Sequence, residues 1–196
     1  MPPVTQALII ANVAVFLLEM AGGTSLLAWF ALWPPGSGPS SAPDFQVWQL
    51  VTYSFLHANV AHIFFNMFAL YMFGSDIERL FGSRFFTGYY FACVLSAALF
   101  HLIVSAWIGA TPYPTVGASG GVYGLLLAYG MYFPNRQLML LIPPIPMRAR
   151  TFVIVFAVLE LVLGVTGTAA GVAHFAHLGG MAGGWLMIRY RRGFRR

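Results

Sequence analysis

Residues 85–108 read FFTGYYFACVLSAALFHLIVSAWI. His101 is the one ionisable group in this run apart from tyrosines and Cys93. As a helix rising about 1.5 Å per residue, the run is long enough to cross the roughly 30 Å hydrocarbon core of a bilayer. Comparable apolar runs recur on either side of it, and together they predict spans at about 5–21, 50–73, 85–108, 119–132, 151–171 and 172–189. The joints are polar or rich in proline and glycine, as in Pro34-Pro35-Gly36-Ser37-Gly38-Pro39 and Pro143-Pro144-Ile145-Pro146. Between the fifth and sixth runs there is only the small-residue stretch Gly164–Gly171. The expected fold is an all-α membrane protein with six transmembrane helices. It forms a single transmembrane domain over 1–196, without an internal repeat.

Composition agrees. The chain is 59% hydrophobic and 8% charged, whereas a soluble domain carries about a quarter charged residues. A net charge of +5 does not indicate nucleic acid, because the basic residues are not arrayed as a binding stripe. Cys93 is the only cysteine; it reads as a buried small hydrophobe. Met1-Pro2-Pro3-Val4-Thr5-Gln6 lacks the positive n-region of a cleavable signal, so the first run is expected to be retained.

There are no lysines, and every arginine falls in one of the two sets of loops that six spans create: Arg79 and Arg84, then Arg136, Arg148 and Arg150, then the tail from Arg189 to Arg196. By the positive-inside rule both termini are expected in the cytoplasm. The aromatics of the first outer loop, Trp29, Phe30, Trp33 and Trp48, read as interfacial anchors.

Polar groups inside a span cost a few kcal/mol each and are functional suspects. They are Asn12, His62, Asn66, His101, Ser119, Glu160, His174 and His177. Counting from the arginine-bearing ends puts Ser119 roughly 22 Å up, His177 about 18 Å, and His62 and Asn66 roughly 21 and 15 Å. Three spans therefore bring polar groups to one level. Ser119 lies in Gly117-Ala118-Ser119-Gly120-Gly121-Val122-Tyr123-Gly124, where glycines permit a tight turn into a helix. Its N-terminal N–H groups can hold a developing oxyanion. Tyr123 falls one turn below Ser119. Gly180 and Gly184 continue the face of His177, and Gly120 and Gly124 offer a matching small surface, so the two helices can approach closely. That approach creates a nucleophile–base pair. His62 and Asn66, four apart on one face, can donate to the same oxyanion.

Blander readings exist for each signal. Ser119 alone would be a packing residue, and His62 and Asn66 alone would cross-link helices. The Gly-x-Ser-x-Gly string also occurs in soluble hydrolases, but there it follows a strand. A histidine metal site from His174, His177, His57 and His62 is disfavoured because His-Glu-x-x-His is absent. Spacing does not choose between His174 and His177 as base. Glu160 lies about 15 Å above Arg150; no spacing links it to Ser119 or His177, so its expected role is structural.

Together these stretches resemble the rhomboid family of intramembrane serine proteases, from about Trp48 to Gly184. The matching elements, in order, are His57…His62-x-x-x-Asn66, Glu78-Arg79-x-x-Gly82-Ser83, Gly117-x-Ser119-Gly120 and Ala176-His177-x-x-Gly180-x-x-x-Gly184. The resemblance implies a rhomboid-like bundle with Ser119 as nucleophile and His177 as general base. It further implies an oxyanion hole of His62, Asn66 and the Ser119 N–H, Tyr123 stacked on His177, and a dyad without an acid. Implied substrates are transmembrane segments of other proteins in the lipid bilayer; no cofactor and no metal are expected. Where the family often has Trp-Arg, this chain has Trp48-Gln49, which puts the loop's anchoring in question. The expected site is a bacterial inner membrane, since no targeting extension is read. Rival readings are a non-catalytic rhomboid-like binding protein and a transporter; the latter lacks paired charges and a two-fold repeat.

Overall fold

The computed structural model describes residues 1–22, 24–37, 44–108, 114–139, 144–167 and 173–193. Helix α1 spans Pro3–Gly22 and α2 spans Thr24–Phe30. A short α3 (Gln49–Thr52) runs into a 3-10 turn, Tyr53–Phe55. Helix α4 (Val60–Ala69) continues through a π turn, Leu70–Gly74, into α5 (Ser75–Phe81). Then come α6 (Ser83–Ile108) and α7 (Ser119–Tyr132), a two-stranded antiparallel ribbon of β1 (Gln137–Met139) and β2 (Pro146–Arg148), α8 (Ala149–Thr166) and α9 (His174–Gly193).

Among the described residues, four helical stretches are long and apolar enough to cross a membrane: Pro3–Gly22, Val60–Phe81, Ser83–Trp107 and Ala149–Thr166. Their outward faces carry exposed Leu17, Ile103, Val158 and Leu161, a surface suited to lipid rather than water. Helix α7 is short because it starts inside the bundle, at Ser119. It is buried along most of its length. Histidines, glycines and arginines dilute α9.

The second span differs from the expected 50–73. Leu56 turns extended, and Asn59 caps a new helix by accepting from the His62 N–H at 2.8 Å. An Asn at an N-cap satisfies a donor that the first turn leaves orphaned. The span therefore begins at Val60 and runs to Phe81. There Gly82, at φ 77, ends α5. The fifth helix also stops earlier than expected, at Thr166, with Gly167 left-handed. The start of the sixth span, expected at 172, lies partly outside the described residues.

Glu78 ties three elements. It accepts from the Val4 and Thr5 N–H groups at 3.0 and 2.7 Å, and from the Thr5 and Ser83 hydroxyls at 2.7 Å each. The arginine-bearing ends meet at this same end of the bundle. Asp76 pairs with Arg79 and Arg136, and Arg191 lies over the rings of Phe81 and Phe85. At the other end, Gln49 is fully buried, and its amide bridges Trp29 O and the Trp33 N–H at 3.3 Å each. Trp48 Nε1 donates to the same Trp29 carbonyl, and Thr52 Oγ1 donates to Phe30 O. A neutral amide thus anchors the loop where an arginine was missing.

Candidate active site

Glycines decide how closely the central helices pack. A Cβ at Gly180 would overlap the Gly120 carbonyl, one at Gly124 would run into Cys93 Sγ, and one at Gly184 would meet the Tyr89 hydroxyl. Helices α7 and α9 are therefore in backbone contact, as small-residue helix faces allow. Tyr89 donates to Gly124 O at 2.6 Å, and Ser96 donates to Gly179 O at 2.8 Å, locking α6 to both. This packing sets Ser119 Oγ 2.8 Å from His177 Nε2.

The segment entering α7 is held from three sides. Leu32 and Thr115 exchange backbone hydrogen bonds at 3.0 Å, the Gly117 N–H donates to Tyr53 O at 2.9 Å, and Thr115 Oγ1 meets His101 Nε2 at 2.8 Å. His101 is thus a brace for this lead-in. Gly117 has φ 124, a region that L side chains rarely adopt. A Cβ there would lie 2.8 Å from His62 Cε1 and Nε2, so the missing side chain is what lets His62 approach Ser119. Helix α7 starts without a side-chain cap, and its first intrahelical bond runs from Val122 N to Ala118 O. The N–H groups before it have no acceptor in the helix.

The hydrogen-bond network assigns tautomers. His62 Nδ1 accepts from the Ala58 N–H at 3.4 Å, which leaves the proton on Nε2, the atom facing Gly117. Asn66 Nδ2 donates to His62 O at 3.0 Å, so its amide is engaged with its own helix in this conformer. The Glu160 carboxylate 3.0 Å from His177 Nδ1 favours the proton on Nδ1, so Nε2 accepts from the Ser119 hydroxyl. Tyr123 lies parallel to the His177 ring, with centroids 4.2 Å apart and planes 4° from coplanar.

His177 Nδ1 faces Glu160, a contact that no spacing in the sequence indicates. Glu160 Oε2 lies 3.0 Å from His177 Nδ1 and 2.6 Å from His174 Nδ1, while Tyr123 donates to Oε1. The His174 contact is a hydrogen bond. The His177 contact is a close electrostatic one, since its approach falls outside hydrogen-bond geometry. Helix α8 is apolar almost all round, so the sequence does not show which face turns inward. The available clue was the level of Glu160 in the bilayer. His174 and Glu160 are both buried.

Glu160, His174 and His177 bring one possible metal-ligand atom each to within 4.8 Å of one another. Around a tetrahedral zinc the ligand atoms would stand about 3.3 Å apart, given bonds of about 2.0–2.1 Å. The 2.6 Å contact of Glu160 with His174 is a hydrogen bond's spacing and would have to open to admit an ion. A cavity of about 710 Å³ opens onto Ser119, His177, His62 and Asn66. Its walls are Phe65, Phe68 and Met72 on one side and Phe152 and Phe156 of α8 on the other.

A family model described as "Rhomboid domain" matches residues 44–193. Rhomboid protease GluP of Bacillus subtilis is 30% identical over 87% of this chain and 31% of its own length. RHOMBOID-like protein 12, mitochondrial, of Arabidopsis thaliana is 32% identical over 73% of the chain and 47% of its own length. Rhomboid protease GlpG of Pectobacterium atrosepticum is 27% identical over 94% and 61%. The chain thus spans roughly a third to three fifths of the length of these relatives.

Proposed function

This chain belongs to the rhomboid family and is an integral membrane protein, and on that footing we propose that it is an intramembrane serine endopeptidase acting on transmembrane segments of other membrane proteins. The observation that carries the reading is the 2.8 Å contact of Ser119 Oγ with His177 Nε2, both on one cavity. His177 Nε2 takes the hydroxyl proton as Ser119 Oγ attacks the peptide carbonyl. The carbonyl oxygen gains charge facing the His62 Nε2–H and the free N–H groups of the first turn of α7, with Asn66 able to swing its amide to it. His177 returns the proton to the departing amine. Water entering the cavity then hydrolyses the acyl-serine by the same proton route.

The proposal includes the finer topology. The chain crosses six times, α7 and α9 supplying the two crossings that their composition obscures, and the arginine end with both termini faces the cytoplasm of a bacterial inner membrane. A substrate helix must unwind to present a carbonyl to Ser119, so segments with helix-weakening residues are the expected substrates.

Purified protein in liposomes should cleave a model transmembrane substrate, and Ser119→Ala and His177→Ala should each abolish cleavage. A parent protein that binds such segments without cutting them would favour the rival reading of a non-catalytic binding protein.

A further inference from the structure

We propose that Glu160 is a positioning carboxylate for His177, so that this chain runs a Ser119–His177–Glu160 relay; the idea rests on the protease reading above. Glu160 is buried, and its two oxygens meet two hydrogen-bonding partners on two other helices, Tyr123 on Oε1 and His174 on Oε2, with His177 Nδ1 3.0 Å from Oε2. An unpaired carboxylate at this depth would be costly, so this arrangement holds an anion beside the imidazole edge away from Ser119. His174 supplies the hydrogen bond at 2.6 Å, and His177 Nδ1 stands 3.0 Å off, close enough for the carboxylate to favour the charged imidazolium.

During attack the Ser119 O–H bond breaks, its proton goes to His177 Nε2, and the new Oγ–C bond forms as the carbonyl electron pair moves to oxygen. His177 is then an imidazolium with Nδ1–H facing Glu160. The carboxylate stays ionised and stabilises that cation. Tyr123 serves both ends: its ring covers His177 and its hydroxyl holds Glu160. The titratable groups around His177 are Glu160 on α8, Tyr123 on α7, His174 on its own helix and His62 on α4. Helix α6, packed along α9, carries His101, which is engaged with Thr115.

The experiment follows cleavage of the model substrate against pH in liposomes for the parent, Glu160→Gln and Glu160→Asp. Glu160→Gln keeps the volume and one acceptor but loses the charge. It should lower kcat about 10- to 100-fold with KM within about twofold, and move the acidic limb of the profile to lower pH. Glu160→Asp should return that limb toward its parental position. A Glu160→Gln protein whose acidic limb stays in place overturns the inference, whatever its stability, while leaving the Ser119–His177 reading intact. If the parent does not cleave at all, the protease reading fails. The ring nitrogens of His177, followed by ¹⁵N NMR against pH, then decide the contact alone. Protonation at lower pH in Glu160→Gln supports the relay, and an unchanged midpoint overturns it.

Discussion

Gly180→Ala tests how the close helix contact makes the site. The added Cβ would lie 2.8 Å from the Gly120 carbonyl carbon and 3.1 Å from its Cα, besides overlapping its oxygen. The overlapped oxygen is the tightest obstacle, and ordinary contacts are about 3.5–4.0 Å, so α7 and α9 must part by at least about 1 Å. All of these obstacles are backbone, with no rotamer to change. Ser119 directly precedes Gly120, and His177 lies one turn before Gly180, so the separation falls on the 2.8 Å contact. Stretched to about 3.5 Å, it ceases to be a hydrogen bond. Overpacking of this kind costs about 1–3 kcal/mol of stability, and a reactive-group misplacement of about 1 Å costs about 10²-fold in rate. The assay is kcat on the liposome substrate beside thermal unfolding in detergent. Leu186→Ala, on the outward face of α9, is the control and should change little. Wild-type kcat in a folded Gly180→Ala protein would mean that the pair does not depend on helix contact.

Four further outcomes are expected. Gly117→Ala should lose activity and stability together, because its Cβ displaces the His62 ring and φ 124 strains any residue but glycine; cleavage rate and thermal midpoint compared side by side check this. Glu78→Ala orphans four donors from α1, the Thr5 side chain and Ser83. Hydrogen bonds to a charged group contribute about 1.5–3 kcal/mol each, so a loss of several kcal/mol in chemical unfolding is expected. His174→Ala removes a Glu160 donor but not the Ser119 partner, so it should keep substantial cleavage, where His177→Ala keeps none. Asp76→Asn breaks partly exposed ion pairs with Arg79 and Arg136 and should shift stability by less than about 1 kcal/mol.

The level shared by Ser119, His62 and the His174/His177 pair is legible in the sequence because glycines and depth are local properties. The choice of His177 over His174 rests on the family resemblance and not on spacing. The glycine string fixed a helix start, and counting residues from the arginine ends gave the level. The same depth count placed Glu160 near the site, but nothing in a nearly uniform apolar helix marks its inward face. Its contact with His177 needs α8 and α9 docked together. The break between Thr52 and Val60 was hidden for a different reason. Leu50 to Phe55 carries no charge and no glycine or proline to mark a break, and the extended Leu56 with the cap formed by Asn59 shows that the helix begins anew. Gln49 likewise gave no sign that an amide could do an arginine's anchoring until Trp29 and Trp33 were seen around it.

The chemistry at Ser119 can be read directly with an organophosphonate that forms a covalent adduct only with an activated serine. Protein reconstituted in liposomes is treated and digested, and the modified peptide is identified by mass spectrometry. A single adduct on Ser119, lost in His177→Ala and retained in Leu186→Ala, is the predicted result. An unlabelled Ser119, or labelling that persists at full rate without His177, would contradict an activated serine–histidine pair in this membrane protein.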